Sequence, residues 1–214
     1  MAQQDLEARV ERLEAVYEIN NLMGKYEGYF CTQQFDKIVD LFALKIPGVS
    51  AEITDGGVWV GIESVRKLYA EYHANIMTDV IGSLTEHDIT TPVIEVAKDG
   101  KTAKGLFFSP GFLNRRDDTG KLFACWIWVK YGCDFVKEDG HWKIWHLHVY
   151  LTFRTPYDQG WVEKPVVGSF SPPQEFKPDK PTTEYKPFHP DRRNVMGPPP
   201  PEPYDTYSAD SSMA

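Results

Sequence analysis

Three histidines are the groups in this chain best suited to move a proton near neutral pH. They are His87, in Thr85-Glu86-His87, and the pair His146 and His148, in Asp139-Gly140-His141-Trp142-Lys143-Ile144-Trp145-His146-Leu147-His148-Val149-Tyr150. Burial or a nearby charge tunes an imidazole into a general base or acid. His87 is the leading candidate for the base. Strand side chains alternate, so His146 and His148 are expected on the face that carries Trp142, Ile144 and Tyr150, grading from apolar to polar. Tyr26, Tyr29, Tyr72 and Tyr150 could each polarise a substrate oxygen. Asp134 shares strand parity with Trp126 and Trp128; on a cavity face it would be a buried carboxylic acid. Arg154 follows the last strand, where it either clamps an anionic group or caps the mouth. Trp59, Phe108, Trp126 and Trp128 suit the walls of a pocket for a flat, mostly apolar ring system.

No metal is expected. His146-Leu147-His148 with His87 makes three nitrogen ligands, but no carboxylate or cysteine falls at a supporting spacing. No organic cofactor is expected either: there is no Gly-rich phosphate loop, and Gly56-Gly57 reads as a hairpin turn. Cys31, Cys125 and Cys133 have no C-x-x-C spacing and imply no disulfide framework.

These groups need elements to position them. Leu6, Val10, Leu13, Tyr17 and Asn20 follow a 4-3-4-3 spacing among charged residues, a narrow stripe suited to a helix laid against another helix or subunit. That helix runs on through Leu22, Met23 and Tyr26. A short helix fits Phe35 to Leu44. A hairpin follows, Val49 to Ile53 and Val58 to Val60 about Thr54-Asp55-Gly56-Gly57. A third helix, from Ile62 to about Asp79, carries Val65, Leu68, Tyr69, Tyr72 and Ile76 at helical spacing. Strands are expected over 84–97, 101–109, 121–137 and 141–153. Helices followed by antiparallel strands predict an α+β fold: a strongly curved antiparallel (mixed) sheet wrapped round the N-terminal helices, forming a cone with an internal pocket.

Of 16 prolines only Pro47, Pro92 and Pro110 precede residue 155, and the other 13 lie in 155–214. The chain therefore divides into a cone domain, 1–154, and an extended proline-rich arm, 155–214. The arm carries Trp161, Phe170, Phe176 and Tyr185, which a solvated linker would not need, so it is expected to pack on its own domain or on a neighbouring subunit. The net charge of -8 gives no footprint for nucleic acid, and no apolar run approaches a membrane span. A cytoplasmic chain is expected, and the double-faced apolar strands with the heptad-like stripe suggest a homo-oligomer, dimer or trimer.

The order of helix, Lys25-Tyr26, Phe35-Asp36, hairpin, third helix, His87, Thr91-Pro92-Val93-Ile94-Glu95-Val96, Asp99-Gly100 and Asp139-Gly140-His141-Trp142-Lys143-Ile144 resembles the SnoaL-like branch of the nuclear transport factor two-like superfamily. The resemblance covers roughly residues 5–153, and its look is nearest to the scytalone dehydratases and bacterial bile-acid dehydratases. It implies a ketosteroid isomerase-like cone, with Tyr26 where those enzymes place a pocket tyrosine and His87 where they place a general base. Cys31 stands where they carry an aspartate, which places Cys31 at the pocket and leaves His146 and His148 as replacements for that partner. The superfold also hosts isomerases, cyclases and non-catalytic binders. The expected function is a cofactor-independent lyase acting by histidine acid–base catalysis on a hydrophobic, hydroxylated ring compound; isomerase, cyclase and binding protein are the alternatives.

Overall fold

The computed structural model describes residues 2–117 and 119–214. Helix α1 (Ala2–Cys31) turns Ala15, Ile19, Leu22, Met23 and Tyr26 inward along one face. Its leading stripe stays outside: Leu13 and Tyr17 are each 70 % exposed. Helix α2 (Phe35–Val39) buries Phe35, Ile38 and Val39. The expected hairpin forms as β1 (Ser50–Ile53) and β2 (Gly57–Val60). The third helix has three parts, α3 (Ile62–Arg66), a π-helical stretch Lys67–His73, and α4 (Ala74–Met77). The wider winding of the π stretch turns Leu68, Tyr69, Tyr72 and His73 all inward.

The remaining strands are β3 (Thr85–His87), β4 (Thr90–Val96), β5 (Thr102–Arg116), β6 (Leu122–Glu138) and β7 (His141–Pro156). The single strand expected over 84–97 is thus two, broken at Asp88-Ile89. The sheet order is β2-β1-β7-β6-β5-β3, with β4 also on β5. β1 runs parallel to β7 and every other pairing is antiparallel. The fold is the mixed, mostly antiparallel α+β cone: helices and concave sheet share one apolar interior.

Which side chains reach that interior depends on two bulges in β7. Asp134 pairs with His146 but Phe135 with Ile144, leaving Trp145 as an extra residue. Trp128 pairs with Phe153 but Val129 with Leu151, leaving Thr152 extra. Each extra residue reverses the alternation that follows it. Trp142 and Ile144 point into the core, and past Trp145 it is Leu147, Val149 and Leu151 that do. The expected shared face of Trp142, Ile144, His146, His148 and Tyr150 is therefore broken in the middle. The two histidines and Tyr150 lie on the outer side of the sheet.

Residues beyond β7 first run along the sheet's strand edges and then over that outer side. Arg154 bridges to Val166, and Val58 to Lys180. Thr182 and Thr183 hydrogen-bond to the Glu52 carboxylate. The last residues close over Asp134, which accepts hydrogen bonds from Ser212 Oγ, Tyr207 Oη and the Met213 amide. Gly132 makes this approach possible, because a Cβ there would stand 2.1 Å from the Met213 carbonyl oxygen. Gly132→Ala should push the C-terminal residues off the sheet at a cost of about 1–3 kcal/mol. Limited proteolysis should then release residues after Tyr204 sooner than in the wild type; an unchanged cleavage rate and Tm would show that this contact is not held in solution.

Candidate active site

A cavity of about 370 Å³ opens between α1, the π stretch and the concave faces of β5, β6 and β7. Of the residues expected at the site, Tyr26, Tyr72, His87 and Arg154 line it. The structure adds Tyr69, His73, Tyr131, Arg115 and Phe170 to the lining. Ile53, Ile76, Met77, Leu113, Ile127 and Val129 make much of the remaining wall apolar.

The two cavity histidines are both neutral at pH 7. Burial lowers His87 from 6.5 to about 4, because no partner repays the desolvation of its charged form; its Nδ1 is buried without a hydrogen bond. His73 is likewise lowered to about 4 by burial, partly offset by its hydrogen bond to the Leu68 carbonyl. That bond, 2.9 Å from Nδ1, makes Nδ1 the protonated nitrogen and leaves Nε2 as the acceptor. His73 is stacked between Tyr69, at 5.4 Å, and Phe170, at 5.7 Å. Phe30 packs edge-on against both His73 and His87.

Beside them stands a tyrosine cluster. The Tyr26 and Tyr69 hydroxyls are 2.8 Å apart, so one donates to the other and the second keeps its proton for a ligand oxygen. Tyr131 meets Tyr26 ring edge to face at 5.8 Å. Burial raises all three phenols above their usual range, so they are hydrogen-bond donors and not bases. Glu27, next to Tyr26 on α1, is 4 % exposed, and neither carboxylate oxygen makes a well-formed hydrogen bond. Burial raises it from 4.5 to about 8, with the neighbouring Tyr131 hydroxyl partly offsetting the rise.

The other expected residues lie elsewhere. Cys31 sits behind His87: its thiol accepts from the His87 amide at 3.5 Å, and burial raises it to about 12. It steadies the β3 backbone and is no thiolate. His146 donates to Asp134 at 3.0 Å on the outer side of the sheet. His148 is stacked on Tyr150 there, 3.3 Å from Glu52 but without good hydrogen-bond geometry. Tyr150 donates to the Met213 carbonyl. Trp126 and Trp128 are outer-face residues, 38 % and 36 % exposed. Phe108 is outer too, under the Lys130 ammonium. Trp59 is core, donating to the Phe176 carbonyl. His146, His148 and Tyr150 miss the cavity because of β7's first bulge, and Phe108, Trp126, Trp128 and Asp134 because their strand parity belongs to the convex face. Among the described residues, no three His, Cys, Asp or Glu side chains converge as a metal site, and no helix is long and apolar enough to cross a membrane.

Two of the missed groups had a signal in the sequence. Glu27 falls on the inward stripe of Met23, Tyr26 and Phe30, where a carboxylate is out of place. His73 follows Tyr69 by four residues, about one turn. Phe170 carried only the general signal of an arm aromatic expected to pack, with nothing to point it at the cavity.

Residues 11–148 match the family described as SnoaL-like domain. No protein of curated function matches the sequence. Among solved structures, the chain is similar to a scytalone dehydratase-like protein of Novosphingobium aromaticivorans, with TM-score 0.56 and 16 % identity, over 71 % of this chain and 93 % of that one. It is also similar to the hexachlorocyclohexane dehydrochlorinase LinA-type3 of Novosphingobium barchaimii, with TM-score 0.56 and 16 % identity, over 71 % and 96 %. A type 2 enzyme of that name gives TM-score 0.57 and 18 % identity over 78 % and 99 %. At these identities the likeness is one of fold.

Glu27 offers a direct test of the buried cluster. Its raised pKa means that the native state keeps a proton which the unfolded chain releases above about pH 4.5. The stability from that proton is complete below about 4.5 and is lost as pH rises through about 8. The wild-type Tm should therefore fall relative to that of Glu27→Gln as pH is raised across this window. Two Tm curves running parallel would mean that the carboxyl is not buried uncharged.

Proposed function

This chain belongs to the SnoaL-like family, and from that premise we propose that it is a cofactor-independent lyase acting on hydroxylated, largely apolar ring compounds. One observation carries the reading: two neutral imidazoles and a hydrogen-bonded tyrosine pair face a single apolar cavity. Neutral imidazole accepts a proton, and a fixed phenol stabilises oxygen charge as it develops. His87 removes the proton from the carbon next to a substrate carbonyl. The electron pair moves onto the carbonyl oxygen, held by the free hydroxyl of the Tyr26–Tyr69 pair. Collapse of this enolate forms the carbon–carbon double bond and expels the β-hydroxyl, which leaves as water with the proton from His87. No net oxidation occurs. His73, with Nε2 as acceptor, orients a substrate hydroxyl.

Isomerisation is the second reading, and Glu27 favours it. A carboxylic acid protonated at neutral pH behind the cavity-lining Tyr131 can steady that phenol as it holds an enolate long enough for the proton to return to another carbon. Asp134, expected from its strand parity as a buried acid, lies on the outer side of the sheet. Mass spectrometry after incubation with β-hydroxy ketones on aromatic frameworks separates the outcomes: loss of water for a lyase, solvent deuterium without loss of water for an isomerase, and intact compound for a binding protein.

His87→Ala should lower turnover on the order of 100-fold or more, and a folded variant with unchanged turnover would remove His87 from the mechanism. The acid limb of kcat/KM should lie near pH 4, since burial lowers His87 to about 4 and the base is lost only as pH falls through that value. A limb at the ordinary imidazole value would place the base outside the cavity.

A further inference from the structure

Arg115 and Arg154 line the cavity. Arg154 is 3 % exposed, and among the described residues neither guanidinium forms an ion pair. The two are close enough that the charge on Arg115 lowers the pKa of Arg154, after burial, which is the larger cause. The nearby Asp55 carboxylate is engaged otherwise, accepting from the Phe170 amide at 3.2 Å and from the Thr54 hydroxyl at 2.9 Å. Arg116 also lines the cavity, and no Asp or Glu is among the described lining residues, although the whole chain has a net charge of -8.

The two guanidinium groups are held in place by backbone beyond the sheet. Arg154 donates from Nε to the Val167 carbonyl and from Nη2 to the Gly168 carbonyl, both at 2.7 Å. Arg115 donates to the Ser169 carbonyl at 3.3 Å. Gly168 has φ +69°, and a Cβ there would meet Arg115 Nη2 at 2.7 Å, so glycine lets that side chain lie against residues 167–169, the strap. A guanidinium has five donors, and the strap uses two from Arg154 and one from Arg115. Buried charge left unpaired is costly, and a ligand of opposite charge relieves that cost.

We propose that the ligand of this cavity carries a carboxylate, which docks between Arg115 and Arg154 while its apolar body extends over Phe170 towards His73 and His87. A planar carboxylate matches the planar fork of each guanidinium. The proposal rests on the cavity being the ligand site, and not on the class of reaction.

The test uses two probes of one shape, 2-naphthoate and 2-naphthamide, titrated calorimetrically into the full chain. The carboxylate should bind about tenfold or more tightly than the amide, the difference expected for charge-assisted hydrogen bonds. Arg115→Gln, at a partly exposed position, should remove most of this preference by weakening the carboxylate far more than the amide. Arg154→Lys should weaken it, because lysine keeps the charge without the fork. Equal affinities, no binding of either probe, or a preference untouched by Arg115→Gln would each overturn the proposal. Binding is read without turnover, so a failed lyase assay leaves the carboxylate site standing, and equal probe binding leaves the lyase reading standing.

Discussion

One unpaired residue in β7 decides what this protein can place in its cavity. Trp145 has no partner opposite it on β6, since His146 pairs with Asp134 and Ile144 with Phe135. Its indole is fixed by a hydrogen bond to the Pro47 carbonyl and by stacking on His146. The strand is therefore out of phase after this point, and Leu147 and Val149 fill the interior that His146 and His148 would otherwise reach. Thr152 reverses the phase again, and by that second step Arg154 turns into the cavity. An apolar lower wall and a cationic rim on one strand follow from two insertions of one residue each.

Burial then sets the chemistry of what remains. Among the described residues no carboxylate favours the charged forms of His73 and His87, so desolvation keeps both neutral. The same apolar walls keep Tyr26, Tyr69 and Tyr131 protonated and hold a proton on Glu27. Acceptors and donors thus sit together without titrating each other, which is what a general base and an oxygen-binding group require of a shared site. The outer side of the sheet has the opposite logic. There Asp134 and Glu52 are buried carboxylates whose oxygens are taken up by His146, Tyr207, Ser212, Thr182 and Thr183.

The proline-rich residues after β7 belong to both sides. Phe170 stacks on His73 inside, while Tyr207 and Ser212 seal Asp134 outside. Part of the cavity wall thus lies beyond the residues that carry the SnoaL-like pattern, 11–148. A backbone rich in proline makes few ladder bonds of its own. Its place is set by side chains such as Arg154, Asp55 and Glu52, which bind its carbonyls, amides and hydroxyls.

The order of elements was legible in the sequence, since helical spacing in 6–30, the Thr54–Gly57 turn and the alternation of the later strands are local properties of the chain. Tyr26 could be placed at the cavity from its helical stripe alone, and the resemblance pointed to His87; Tyr72 and Arg154 also reach it, but through the π turn and the second bulge of β7. His146, His148, Tyr150 and Asp134 could not be placed from sequence. For His146, His148 and Tyr150 the side of the sheet depends on a bulge set by pairing with β6; Asp134 keeps the parity of Trp126 and Trp128, and its burial depends on a cover that arrives some 70 to 80 residues later in the chain. His73 faces inward through a π turn, and Phe170 through contacts made only once the strap is in place. Periodicity is written in the sequence; phase, which chooses the face, is decided by the partner strand.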